Sequence, residues 1–422
     1  MTDLQITSII LSLAYIFFTG IAIRRLPQPV SLIFLLYSSI FFLTHHAQGT
    51  WILYNYELEL VSGFYFKEMG FLDNQIMLNA MILNFVFFIM VLVPIFLSKK
   101  HLSYILAKKD NFHFKEPSIK RPYFFRLYFI VILSLILNKI GFYNLVNQPG
   151  FNFTAGITTY LVLLYVVEFY LLVRINTRSL SGLDYLSLLG TCFVLLFTSR
   201  AMLVIFMLTI FLTIFRPVRS IKWTQFLYLV IAVWLVMIMY GIYRHMVTTE
   251  LHGVELNIDF YAFLTNFKQQ IDWIMFATVE GFSGTASTLE EILSGDMSYD
   301  FGLTFILSIF KVIPSMVYNI FDIDYLTIFK ENVYVGNSVI PGIVESSLLQ
   351  FGLFGVPILG LGTGILIVIF GRRLIVNFNL LSIVVVVSLI YSIRGGIIGL
   401  TLLIVSYILM LFLFHLINRL KV

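Results

Sequence analysis

At 422 residues the chain is long enough for two or three soluble domains, yet apolar residues make up 59% of it and charged residues only 12%. A soluble domain carries roughly twice that charged fraction, so the composition excludes one and reads as a polytopic, all-α membrane protein. The formal net charge of +5 sits in loops between apolar stretches, where it reports orientation and not nucleic-acid binding.

A spanning helix needs about 20 apolar residues. In chain order the candidates are Gln5–Ile23, Val30–His46, Met77–Leu97, Phe124–Tyr143, Ile157–Val173, Leu183–Thr198, Ala201–Phe215, Thr224–Tyr243, Ile343–Phe370, Leu380–Ile393 and Ile397–Leu416. That makes about 11 transmembrane helices (range 10–12). The first stretch has no basic residue before it and Arg24-Arg25 after it, so it reads as a retained helix and not a cleaved signal. Cys192, the single cysteine, lies within an apolar span, which leaves no disulfide and no cysteine metal site.

Orientation follows from the basic loops. Arg24, Arg25, the Lys99–Arg126 stretch, Arg174, Arg178, Arg216, Arg219, Lys222, Arg372, Arg373, Arg419 and Lys421 hold most of the 27 basic residues. They alternate correctly with the N-terminus outside and the C-terminus inside. The chain then divides into an N-terminal bundle (1–243), a large outer loop (244–336) and C-terminal helices (337–422), integrated as one membrane domain. The loop is expected to hold interfacial helices at Phe260–Phe276 and Gly302–Ile320. A spanning Gly302–Ile320 is the alternative, and it would turn Arg372, Arg373 and Arg419 outward.

Leu183–Phe215 is flanked on both sides by cytoplasmic basic residues, so it must be a hairpin with Thr198-Ser199-Arg200 at its tip. Each arm of about 16 residues reaches about 24 Å against about 30 Å of hydrocarbon, which recesses the tip. The same parity places Arg394-Gly395-Gly396 at an outer turn between Arg373 and Arg419. The two glycines permit a tight turn and close approach of a ligand. Gly360-Leu361-Gly362-Thr363-Gly364 lies within an apolar span and reads as helix packing.

Arg200, Arg244 and Arg394 thus fall on the outer face, where cations are scarce and a charge near the bilayer is costly. Three such cations point to a polyanionic ligand such as a diphosphate, which the arginine fork grips with two hydrogen bonds at once. His245 follows Arg244 at the start of the loop. Glu345 sits where the chain re-enters the membrane, with Glu250, His252, Glu255, Asp259 and Glu280 on the same side. The pair His45-His46 is expected to be interfacial polar residues at an outer helix end rather than metal ligands. Glu168 reads as a carboxylate near the cytoplasmic end of its span, with proton coupling as the alternative. No metal cluster at ligand spacing and no cofactor motif is found.

Phe197-Thr198-Ser199-Arg200-Ala201-Met202-Leu203 resembles the Ser-Arg hairpin of O-antigen and oligosaccharide repeat-unit polymerases. Tyr299-Asp300-Phe301-Gly302-Leu303-Thr304-Phe305, with Val312-Ile313-Pro314-Ser315 after it, is similar to their outer-loop segment. Pro341-Gly342-Ile343-Val344-Glu345, then Gln350-Phe351-Gly352-Leu353-Phe354-Gly355, looks like their re-entry segment. The resemblance implies a glycosyltransferase of the bacterial plasma (inner) membrane, active on the periplasmic or outer face. Its substrate would be an undecaprenyl-diphosphate-linked oligosaccharide, polymerised for O-antigen, capsule or exopolysaccharide, with a chain-length regulator as a possible partner. Arg200, Arg394 and Arg244 would stabilise the departing diphosphate, and Glu345 or His245 would be the general base. Ser199, Gly395, Gly396 and Tyr299 would line the substrate, and no divalent metal would be needed. A flippase for the same lipid-linked sugar is the rival reading. It too needs cations, but along a path open to both faces and without a long one-sided loop.

Overall fold

The computed structural model describes residues 3–26, 28–55, 74–98, 122–133, 165–167, 170, 180–198, 200–214, 266, 268, 271, 280–295, 301–302, 306, 342–376 and 380–419. These residues are almost entirely helical, and no strand occurs among them. Among the described residues, five helices are long and apolar enough to cross a membrane: Asp3–Arg25, Val30–Tyr54, Gln75–Leu97, Ile343–Leu374 and Gly395–Phe412. The chain is a helical membrane protein. The expected span Thr224–Tyr243, the second half of Phe124–Tyr143 and most of Ile157–Val173 lie outside the described residues, as do most of Gly302–Ile320 and most of Phe260–Phe276.

Helix α1 (Asp3–Arg25) carries an acidic residue in its first turn and two basic residues in its last, each matched to the helix dipole. It runs antiparallel to α2 (Gln28–Phe41) and α3 (Gln48–Asn55). Three contacts along its length fix that direction: Gln5 Nε2 donates to the Leu53 carbonyl (3.3 Å), Ser12 meets Thr50 (3.1 Å), and Tyr15 Oη donates to the Ser38 carbonyl (2.8 Å). Between α2 and α3 the helix continues through a π-helical turn, Phe42–Ala47. The expected end of this span at His46 is therefore corrected: the helix runs on to Asn55.

Helix α4 (Asn74–Leu97) lies parallel to α10 (Gly355–Val376). Gly360 abuts the Phe87 carbonyl, where a Cβ would come within 2.7 Å, and one turn on Gly364 abuts the Val91 carbonyl. Two small residues four apart let two backbones touch, as the sequence reading expected of this glycine run. Gly371, further along α10, meets Val30 and Ile33 at the start of α2. Arg25 stacks over Phe96, 5.4 Å from the ring centroid. The last turns of α1, α4 and α10 thus lie at one end of the bundle, and that end carries Arg24, Arg25, Arg372 and Arg373.

The remaining helices are α5 (Pro122–Leu133), α6 (Gly182–Thr198), α7 (Arg200–Ile214), α8 (Glu280–Ser294), α9 (Ile343–Phe351) and α11 (Leu380–Arg419). Asp184 caps α6 by accepting from Ser181 N (2.7 Å) and Ser181 Oγ (2.9 Å). It also accepts from Tyr170 Oη (2.7 Å), so this buried carboxylate is fully engaged. α7 packs against α11.

Helix α8 belongs to the expected outer loop, yet it is docked into the bundle. Phe282, Ala286 and Leu289 form a small core with Ile52, Leu53, Met77, Ala80 and Met81. Gly49 makes this possible, since a Cβ there would fall 2.8 Å from the Phe282 ring.

Candidate active site

The re-entry segment expected as one span, Ile343–Phe370, is two helices with a break between them. α9 ends at Gly352, whose φ of 60° and ψ of −149° suit only glycine. A short 3-10 turn follows, and α10 begins at Gly355, packed against the Ser347 carbonyl with no room for a side chain. The Phe351-Gly352-Leu353-Phe354-Gly355 run thus has a steric reason for each of its glycines.

Every residue from Ile343 to Gln350 is buried. Glu345 is the third residue of α9, the position from which a glutamate folds back on the start of its own helix. Its carboxyl lies against Gly342 on one side and Gly284 of α8 on the other; a Cβ at Gly284 would come within 2.8 Å of Oε1. Thr285 Oγ1 lies 3.1 Å from Glu345 Oε1 and 3.4 Å from Asn84 Oδ1 of α4. A hydroxyl has one proton to donate. Turning the Asn84 amide so that its nitrogen faces Thr285 gives a consistent chain, Asn84 N–H to Thr285 to Glu345. Asn84 lies about 15 Å in from the Asn74 end of α4 at 1.5 Å per residue. Nearby, Gln48 Oε1 accepts from Phe282 N at 3.0 Å, and so satisfies one of the orphan donors in the first turn of α8. Glu345 is only 1% exposed, so its carboxyl is closed off from solvent.

The Arg394-Gly395-Gly396 turn meets the same place. Gly396 has φ 54° and ψ −153° and breaks α11 into two arms. The Tyr391 ring would touch a Cβ at Gly399 (2.8 Å), although eight residues of continuous helix span about 12 Å. The chain therefore bends sharply at Gly396, within the Arg394-Gly395-Gly396 stretch. Gly342 abuts the Ile393 carbonyl, where a Cβ would come within 2.7 Å, and Ser346 Oγ accepts from Ile397 N at 3.4 Å. Glu345 and the Arg394 backbone thus belong to one junction.

Of the other residues picked from the sequence, Arg200 is the first residue of α7, and α6 ends at Thr198; the expected hairpin tip at Ser199 lies outside the described residues. The side chains of Arg200 and Arg394 lie outside the described residues, and so do Ser199, Arg244, His245, Tyr299 and Glu168.

The expectation for His45-His46 is corrected. Both are fully buried inside the continuing helix, His45 stacked on Phe41 (4.3 Å) and His46 tilted against Tyr15 (4.8 Å). The histidine pair does not mark the end of the span, because the π turn carries both imidazoles into the aromatic core.

Sequence reasoning missed Gln48, Asn84, Thr285 and Ser346. The available signal was polarity within apolar spans. Uncharged amides in such spans pair across helices as charges do, and only the charges had been weighed. Glycine and small residues in Gly281–Ser287 were the corresponding hint for α8.

Compared with known proteins, the chain matches no family model, no curated protein and no solved structure.

Proposed function

We infer that the protein is a metal-independent glycosyltransferase that polymerises undecaprenyl-diphosphate-linked oligosaccharide repeats at the outer face of a bacterial plasma membrane. The observation that carries this reading is the junction of the Arg394 turn with the Glu345 segment, at the end of the bundle away from Arg24, Arg25, Arg372 and Arg373. Positive residues favour the cytoplasmic side, so the junction belongs on the outer side, recessed from the surface. About 11 spans, with the N-terminus outside, complete this topology.

In the reaction an acceptor-sugar hydroxyl attacks C1 of the growing chain. The C1–oxygen bond to diphosphate breaks, the bonding pair leaves with undecaprenyl diphosphate, and the hydroxyl proton passes to a base. Charge builds on the diphosphate, and fixed arginines in a partly dry site stabilise it. Arg200 and Arg394 take this role, with Arg244 beside them. Ser199, Gly395, Gly396 and Tyr299 line the substrate. Glu345 takes the proton, which requires α8 to draw Gly284 and Thr285 away from it; His245 is the other candidate base.

Deletion of the gene tests the reading. Single lipid-linked repeats stranded on the outer face, with no polymer, are the expected result. Repeats trapped on the inner face would identify a flippase and overturn the polymerase.

A further inference from the structure

The bend at Gly396 leaves the second arm of α11 without a cap of its own. The first N–H groups of a helix have no partner within it, and neither Gly395 nor Gly396 offers a side chain. Ile397 N–H donates instead to Ser346 Oγ, 3.4 Å away and 51 residues earlier in the chain. Ser346 is 1% exposed, so water does not compete for that donor. On the near side of the same turn the Ile393 carbonyl faces Gly342. The first turn of α9 therefore clasps the backbone on both flanks of Arg394.

We propose that Ser346 is a positioning residue: its hydroxyl fixes the start of the second arm and so sets where Arg394 is presented to the diphosphate. This rests on the reading that Arg394 neutralises the leaving group. Electrostatic stabilisation depends on a cation already in place when charge develops, and a misplacement of about 1 Å costs about 10²-fold in rate. Loss of one hydroxyl leaves the apolar contacts of α9 and Arg394 itself intact. It releases the Ile397 donor and lets the first turn of the arm relax.

The test uses purified full-length enzyme in detergent, with lipid-linked repeat extracted from the deletion strain as substrate. Ser346→Ala, Ser346→Thr, Arg394→Lys, Arg394→Ala and the Ser346→Ala/Arg394→Lys double variant are compared for kcat, KM and Tm. Ser346→Ala is expected to lower kcat about tenfold, with KM within about twofold and Tm near that of the parent. Ser346→Thr, which keeps the hydroxyl, recovers most of the loss. In the Arg394→Lys background, where the fork is already gone, Ser346→Ala lowers kcat by less than about twofold. An unchanged kcat, a full tenfold loss in the lysine background, no rescue by threonine, or loss of folded protein from Ser346→Ala would each overturn the proposal. Normal turnover by Arg394→Lys and by Arg394→Ala would remove the arginine reading itself, and this proposal with it.

Discussion

The α4–α10 seam and the α8–α9–α11 junction are both places where backbones nearly touch, and glycine makes both possible. In the seam the glycines meet main-chain carbonyls of Phe87 and Val91, with Met90 and Pro94 beside them. In the junction Gly284 and Gly342 make room for a carboxyl; Thr285 bonds it, Asn84 meets Thr285, and Ser346 in the next position accepts from Ile397 N. Close packing alone holds helices together in a bilayer. A buried acid with polar neighbours is expensive there and is a mark of function. On the proposed function the seam is scaffold, and the junction is the candidate site.

The sharpest way to break that comparison is Gly364→Leu. A Leu side chain cannot fit against the Val91 carbonyl, so folded protein should be lost from membranes by immunoblot. Gly362→Leu, with nothing within 4 Å of its Cβ, should accumulate normally. Even Gly364→Ala should cost about 1–3 kcal/mol by overpacking, read as a lower Tm.

Next in size are the arginines. Arg200→Ala and Arg394→Ala should each cut polymer by about 10²–10³-fold, the usual cost of removing one fixed donor to a developing charge. Protein abundance should stay near normal, in contrast to Gly364→Leu. Lysine should rescue each only partly, because it keeps the charge and loses the fork. Normal polymer from both alanine variants would remove the diphosphate role.

Glu345 divides the junction's two roles. Glu345→Gln keeps the shape and the hydrogen bond from Thr285 but cannot take a proton. A fall in kcat of about 10²-fold or more with little change in lipid-linked repeat binding would mark a base. If Glu345→Gln turns over normally while Glu345→Ala loses folded protein, the residue serves only to join α8 to α9.

The smallest expected effect is none. Polymer synthesis by purified enzyme should persist in excess chelator, since arginines take over the neutralisation that a divalent cation provides elsewhere. Activity lost in chelator and restored by Mg²⁺ would end the arginine-only mechanism.

Much of the scaffold was legible because its signals are local. Hydropathy found α1, α4 and α10, and glycines four apart foretold the seam. Gly395-Gly396 marked the bend. The helix through His45-His46 was cut short because its π turn has no sequence signature and two histidines look like an end. The junction was half legible. Glu345 stood out as an acid at re-entry. Its neighbours did not, because Asn84 and Thr285 meet across 201 residues and Gln48 and Phe282 across 234. Nothing in a local window joins an amide in one span to a threonine in a loop helix.

Those separations also set a schedule. A ribosome adding about 5–20 residues per second completes α3 and α4 long before it reaches α8. For the 201 residues between Asn84 and Thr285, that is a wait of about 10–40 s. Throughout it, Gln48 and Asn84 stand in a young membrane bundle without the Phe282 amide and the Thr285 hydroxyl that later meet them. Helix α8 is thus a late arrival, and both of these long-range contacts wait until it docks.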